Sequence, residues 1–312
     1  MKIVVFPGQG SQKVGMCKDL YDNFSLVKEL FTEAEDISKL PLSEIIFNGP
    51  SYKLQETNIS QIAIMLSSVA ALRVLEESID QKIYSFANLV AGHSLGEYTA
   101  LVASESLKFS DAVVLLKARG EAMAAACSSG GAMLAIIGIE DINIINEIAQ
   151  KASTNNLICE VANDNAKGQV ILSGNREALE LAAKLAKDDY KAKLVKFLDV
   201  SGPFHSSLMS KAVPILQEAL DKITLNPLKV PFISNVTSNK VDSASEVKEL
   251  LLKQIINPVN WRESMINAVK LGATTLIEVG PNKVLTGLMK RIDNNIKCVN
   301  IETVVDIKDF TL

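Results

Sequence analysis

Short apolar runs bounded by glycine and proline alternate along this chain with longer segments whose apolar positions recur at helical spacing. Ile3-Val4-Val5-Phe6 reads as a first strand that runs into the loop Pro7-Gly8-Gln9-Gly10-Ser11-Gln12. Amphipathic helical patterns follow at 18–37 and 58–79, and 86–91 is an apolar run suited to a buried strand. Helical composition resumes at 96–106 and 110–127, up to Ser128-Ser129-Gly130-Gly131, a junction expected to be a domain boundary.

Beyond that junction the period changes. Strand 133–138, helix 141–152, strand 158–162, strand 169–173, helix 176–190 and strand 192–198 are predicted, with 163–168 as the turn between the middle strands and Asn175 as a helix cap. The order β-α-β-β-α-β is ferredoxin-like. Helix 206–222, a strand near 231–235, helices 243–256 and 260–271, and strand 275–279 complete the pattern. Strands alternating with helices in the outer segments imply a mostly parallel sheet covered on both faces. The expected fold class is α/β, with a large hydrolase-like domain over 1–128 and 199–312 and an inserted ferredoxin-like subdomain over 129–198.

Composition narrows the function classes. The chain has 312 residues, 48% of them apolar, enough to bury a large core. A net charge of −4 argues against a general binder of nucleic acid or anionic membranes. Met1-Lys2 is followed by too few apolar residues for a signal peptide, and no stretch is expected to span a bilayer. Cys17, Cys127, Cys159 and Cys298 are scattered without metal-ligand spacing, so reduced thiols and a cytoplasmic location are expected.

The most informative segment is Gly92-His93-Ser94-Leu95-Gly96, a Gly-x-Ser-x-Gly pattern placed between a predicted strand and a predicted helix. Small residues on either side of Ser94 let the backbone turn sharply and stand its hydroxyl clear of the sheet edge. A serine hydroxyl needs a base, and the chain has only two histidines. His93 precedes Ser94 in a strand-like segment, where neighbouring side chains point to opposite faces, and reads as structural. His205, in the Gly/Pro turn Ser201-Gly202-Pro203-Phe204-His205-Ser206, is the candidate base. Gly8-Gln9-Gly10 lacks the third glycine of a dinucleotide loop and the lysine of a P-loop, so phosphate binding there is the weaker reading.

Further motifs in order along the chain carry a family resemblance: Phe6-Pro7-Gly8-Gln9-Gly10-Ser11-Gln12, Gly92-His93-Ser94-Leu95-Gly96-Glu97, Arg119-Gly120 with Met123, Gly131-Ala132-Met133, Val161-Ala162-Asn163, Phe204-His205-Ser206, Gln254 with Asn257-Pro258-Val259 and Trp261, and Glu278-Val279-Gly280-Pro281 before Val284-Leu285. The chain resembles the malonyl-coenzyme A:acyl carrier protein transacylases of fatty acid synthesis. The resemblance implies Ser94 as the nucleophile, His205 as its base oriented by the main-chain carbonyl of Gln254, the backbone amides of Gln9 and Leu95 as an oxyanion hole, and Arg119 as the clamp on the malonyl carboxylate. It implies malonyl-coenzyme A and holo acyl carrier protein as partners, a monomer, and no metal or other cofactor, coenzyme A thioester being the substrate. An acidic triad partner brought near by the fold is the alternative to the dyad, and a serine esterase or thioesterase, or an acyltransferase for another extender unit, is the alternative function. Asn260 stands where the family commonly has arginine and is expected to be a surface or docking variation; Lys283, Lys290 and Arg291 are candidates for a local basic docking patch.

Overall fold

A computed structural model of the protein describes residues 1–127 and 130–311. The expected boundary at Ser128-Ser129 lies outside the described residues. Among the described residues ten strands form two sheets: β1 (Lys2–Phe6), β2 (Leu89–Gly92), β3 (Gly131–Ile137), β4 (Cys159–Ala166), β5 (Gln169–Asn175), β6 (Leu194–Phe197), β7 (Phe232–Ile233), β8 (Lys240–Val241), β9 (Thr275–Val279) and β10 (Lys297–Ile301).

The larger sheet has the order β10-β9-β1-β2-β7-β8 and is parallel except for the β7/β8 pair. Alternation along its central strands serves two cores. Val4, Phe6 and Val90 face the larger core around helix Thr57–Ser78, while Ile3, Val5, Leu89 and Ala91 face a second core holding Trp261 and Met265. Both faces are therefore covered, which is why these strands are apolar throughout. Helix Thr57–Ser78 is long and apolar enough to cross a membrane by length and composition, contrary to the reading of the sequence. In the fold 89% of its apolar stretch is buried against other elements, the position of a core helix.

The smaller sheet has the order β4-β5-β3-β6, antiparallel throughout, with helices Ile142–Ala152 and Arg176–Asp188 packed on it through a third core. Counted within this unit the strands run 2-3-1-4, the ferredoxin-like topology. β4 extends through Ala166 where a turn from 163 was expected. Its polar end is satisfied from outside the unit: the Asp164 N–H donates to the Val259 carbonyl, Arg262 pairs with the Asp164 carboxylate at 2.7 Å, and Asn165 bonds His93. Asn175 precedes its helix as expected but its side chain does not cap it, because its Oδ1 accepts from the Ile158 N–H at 2.8 Å.

Other boundaries moved for similar reasons. The strand expected at 86–91 begins at Leu89, after a one-turn helix Ile83–Phe86, and the helix expected at 206–222 divides into a 3-10 turn Ser207–Met209 and helix Ala212–Asp221. The strand expected near 231–235 shortens to Phe232–Ile233, which frees Asn235 for a different task.

Candidate active site

The site lies at the carboxyl ends of β1 and β2, where open α/β sheets place their ligands. β2 ends at Gly92, and helix Gly96–Ala103 starts four residues later. Between them Ser94 adopts φ 52°, a left-handed conformation that costs a non-glycine residue about 1–3 kcal/mol and persists only where its surroundings enforce it. The flanking glycines permit the turn. A Cβ on Gly92 would sit 1.9 Å from the Gly96 backbone, and a Cβ on Gly96 would sit 2.3 Å from the Phe6 carbonyl oxygen. Asn235, just beyond β7, grips both sides of the turn: its Oδ1 accepts from the Ser94 N–H at 2.8 Å, and its Nδ2 donates to the Gly92 carbonyl at 2.7 Å.

His205 reaches the elbow from the turn before Ser207–Met209. Its backbone is also left-handed, at φ 57°, and Glu160 on β4 fixes the chain two residues on by accepting from the Ser207 N–H at 2.7 Å and hydroxyl at 2.9 Å. The Nε2 atom lies 2.8 Å from the Ser94 Oγ, and Nδ1 lies 2.8 Å from the Gln254 carbonyl oxygen. A carbonyl only accepts, so Nδ1 carries the proton and Nε2 is left to accept from Ser94. No carboxylate bonds His205 among the described residues, so the geometry is that of a dyad. Burial pushes the imidazole pKa from 6.5 down to about 3, with the Arg119 cation adding to the fall and the Gln254 carbonyl opposing it.

Arg119, on helix Phe109–Ala126, is 1% exposed. Its Nη2 donates to the Ser94 Oγ at 3.0 Å and to the Gln254 Oε1 at 2.9 Å; its Nη1 donates to the Gln61 Oε1 at 2.6 Å. The guanidinium also lies over the Tyr98 ring, 5.7 Å from its centroid. Its Nε is unpartnered, and no carboxylate lies within ion-pair distance of it among the described residues. A buried cation without an anion is costly, and burial lowers the pKa of this one, against the pull of Tyr98 and Glu97.

A cavity of about 360 Å³ opens over these groups. Gln9, Ser94, Leu95, Arg119 and His205 line it from the side of the larger sheet, and Met133, Asn163 and Leu198 from the smaller. Neither the Gln9 nor the Leu95 N–H has an acceptor among the described residues, so both donors are available at the cavity wall. The Leu95 amide opens helix Gly96–Ala103, where the helix dipole favours negative charge. His93 lines the same cavity, but its Nε2 bonds the Asn165 Oδ1 at 2.8 Å and its ring packs on Trp261.

Two placements differ from expectation or add to it. Asn260 is half-buried in an internal junction rather than on a free face: its N–H donates to the Asn235 carbonyl at 2.9 Å, and its side chain to the Val236 carbonyl at 3.0 Å. Lys283, Lys290 and Arg291 are exposed at and along helix Val284–Ile292, outside the cavity lining, and Arg291 bonds Gln169 on β5.

Sequence reasoning gave no role to Gln61, Glu97 or Asn235. Glu97 carried a signal, being a lone charge in an otherwise apolar helix; Gln61 and Asn235 are ordinary polar residues that only the fold brings to the elbow.

Known proteins share this arrangement from end to end. The malonyl CoA-acyl carrier protein transacylase of Bacillus subtilis (strain 168) is 40% identical over 298 residues, covering 95% of this chain and 92% of that one. The protein of that name from Staphylococcus aureus (strain MRSA252) is 36% identical over 98% of this chain and 97% of its own. The crystal structure of acyl-carrier-protein-S-malonyltransferase from Bartonella henselae superposes with a TM-score of 0.95 at 38% identity, covering 98% of this chain and 97% of that one. A type II PKS acyl-carrier protein in complex with its malonyl-transacylase gives a TM-score of 0.92 at 35% identity, with 98% and 97% covered. The acyl transferase domain model matches residues 3–309, a span that takes in both sheets and every group around the cavity, and the chain belongs to that family.

Proposed function

We propose that the protein moves a malonyl group from malonyl-coenzyme A, through an ester on Ser94, to the phosphopantetheine thiol of acyl carrier protein. The observation that carries the choice of acyl group is the buried guanidinium of Arg119, 3.0 Å from the Ser94 Oγ and in direct contact with no carboxylate among the described residues. An acyl group that brings its own carboxylate supplies the missing anion, and a planar guanidinium can hold it through two parallel hydrogen bonds. Acetyl has nothing to offer there.

In the first half-reaction Ser94 gives its proton to the Nε2 of His205 as Oγ attacks the thioester carbonyl. Negative charge gathers on the carbonyl oxygen and, on this reading, is met by the N–H groups of Gln9 and Leu95. The carbon–sulfur bond then breaks, and the imidazolium returns its proton to the leaving coenzyme A sulfur. In the second half the carrier thiol passes its proton to His205, attacks the ester and restores Ser94. These are displacements and proton transfers among named groups, and none calls for a metal or redox group. A carboxylate seated on Arg119 also cancels one cause of the low basicity of His205, so the substrate that fits the clamp strengthens the base.

The cleft between the unit 129–198 and the rest of the chain is, on this reading, the shelter that keeps the ester from water until the thiol arrives. Intact-mass measurement after mixing with malonyl-, methylmalonyl- or acetyl-coenzyme A tests the proposal. Malonyl should give the dominant adduct, absent from Ser94→Ala, and holo acyl carrier protein should discharge it as malonyl-carrier. Free malonate as the main product would instead indicate a thioesterase.

A further inference from the structure

Ser94, His205 and Arg119 come from three separate parts of the chain, yet their positions meet in one carboxylate. Glu97 is fully buried in the first turn of helix Gly96–Ala103, three residues after the nucleophile. One oxygen accepts from the Asn235 N–H at 2.5 Å and the other from the Gln254 Nε2 at 2.5 Å. Both partners touch the chemistry. Asn235 clamps the two sides of the elbow, while Gln254 gives its carbonyl to His205, its Oε1 to Arg119 and its Nε2 also to the Ser94 carbonyl at 2.9 Å.

We propose that Glu97 is the positioning residue of this site: its carboxylate fixes Asn235 so that the elbow stays closed around Ser94, and fixes the Gln254 amide so that an oxygen, not an NH₂, faces Arg119. The inference rests on the roles given above to Ser94, His205 and Arg119. An amide has one acceptor and one donor end, and its direction is set by what it meets. The Glu97 carboxylate, together with the Ser94 carbonyl, presents only acceptors at the Nε2 end and so turns the Oε1 end toward the guanidinium. Burial pushes the Glu97 pKa up, opposed by the Asn235 N–H, Gln254 and Arg119; with two N–H donors and no acceptor among the described residues, and at a helix N-terminus, the carboxylate is held in its ionised form.

Glu97→Gln tests this directly, since glutamine cannot accept from both neighbours. Its own NH₂ must face either the Asn235 N–H or Gln254, and in the second case the Gln254 amide flips and presents a donor to Arg119. Rates of adduct formation on Ser94 are measured with malonyl- and acetyl-coenzyme A, beside a thermal melt. The expected result is a malonyl rate at least tenfold lower and a malonyl-to-acetyl ratio reduced by a similar factor. Glu97→Asp keeps a carboxylate that only accepts, one methylene shorter, and should hold the malonyl-to-acetyl ratio closer to the wild-type value than Glu97→Gln does. A folded Glu97→Gln with unchanged rate and ratio overturns the proposal. So does an equal loss on both acyl donors in Glu97→Gln with no better ratio in Glu97→Asp, or failure of both variants to fold, each of which makes Glu97 a packing residue only. The wild-type arm keeps the two readings apart: if it forms no malonyl ester on Ser94, the catalytic reading fails, whatever the variants do.

Discussion

Acidification should weaken the folded protein through His205 in a way that can be measured apart from every other group. The ordinary imidazole pKa of 6.5 applies to the unfolded chain, while the folded value is pushed down to about 3 by burial and by Arg119. Between those values the unfolded state binds a proton that the native state refuses, so the stability present above pH 6.5 is lost as pH falls toward the folded value. From pH 7 to pH 5 the unfolded chain gains the benefit of roughly 1.5 pH units at 1.36 kcal/mol each, about 2 kcal/mol. This result needs only that the folded pKa lie below 5. Urea unfolding of the wild type and of His205→Gln at the two pH values gives the answer as a difference of differences, in which the cost of the substitution and the contribution of His93 cancel. With only two histidines in the chain, imidazole NMR offers a direct check once His93→Gln has assigned the resonances. Equal pH dependence in the two proteins, or a His205 resonance titrating near its ordinary value, would refute the argument.

Arg119→Ala should lower adduct formation from malonyl-coenzyme A by at least about 100-fold, the order expected for a lost charged clamp in a buried site, and affect acetyl far less; equal losses in the mass assay would remove the clamp role. Gly96→Ala forces a Cβ to 2.3 Å from the Phe6 carbonyl oxygen and should cost about 3 kcal/mol or more, read as a fall of several degrees in Tm. A wild-type Tm would mean that β1 can yield at the elbow. Glu278→Ala removes a buried carboxylate that accepts from the Leu285 N–H at 3.0 Å and the Thr286 N–H at 2.7 Å, leaving the start of helix Val284–Ile292 without its acceptor. Its expected cost is about 1–3 kcal/mol, measured by chemical unfolding.

The elbow, the central strands of the larger sheet and the smaller sheet were legible because each rests on local spacing, an apolar run before Gly-x-Ser-x-Gly, an apolar helix after it, and a β-α-β-β-α-β order within one stretch, whereas the edge strands β8 and β10 and helix Val284–Ile292 were not predicted. Boundaries slipped where a distant partner decided them. The polar end of β4 has the composition of a turn, but Val259, Arg262 and His93 satisfy it as strand. Asn175 has the composition of a cap, but the Ile158 N–H takes its side chain. Helix Thr57–Ser78 is apolar on nearly every face because helices and strands surround it in the core.

Around the cavity the division is the same. The identity of the serine and its base followed from residue type and count, since a hydroxyl needs a base and only one histidine sat in a suitable turn. The order of motifs along the chain supplied Arg119, Gln254, Gln9 and Leu95 as expectations. That Arg119 meets the Ser94 hydroxyl, that Gln254 serves His205 with its carbonyl and Arg119 with its side chain, and that Glu97 joins Asn235 to Gln254 are matters of tertiary structure. The sequence alone determined which groups could react, because reactivity belongs to residue type and local backbone. Only the fold decided how they are aimed and charged, because hydrogen-bond direction and desolvation depend on neighbours as far as 160 positions away, as between Gln254 and the Ser94 carbonyl.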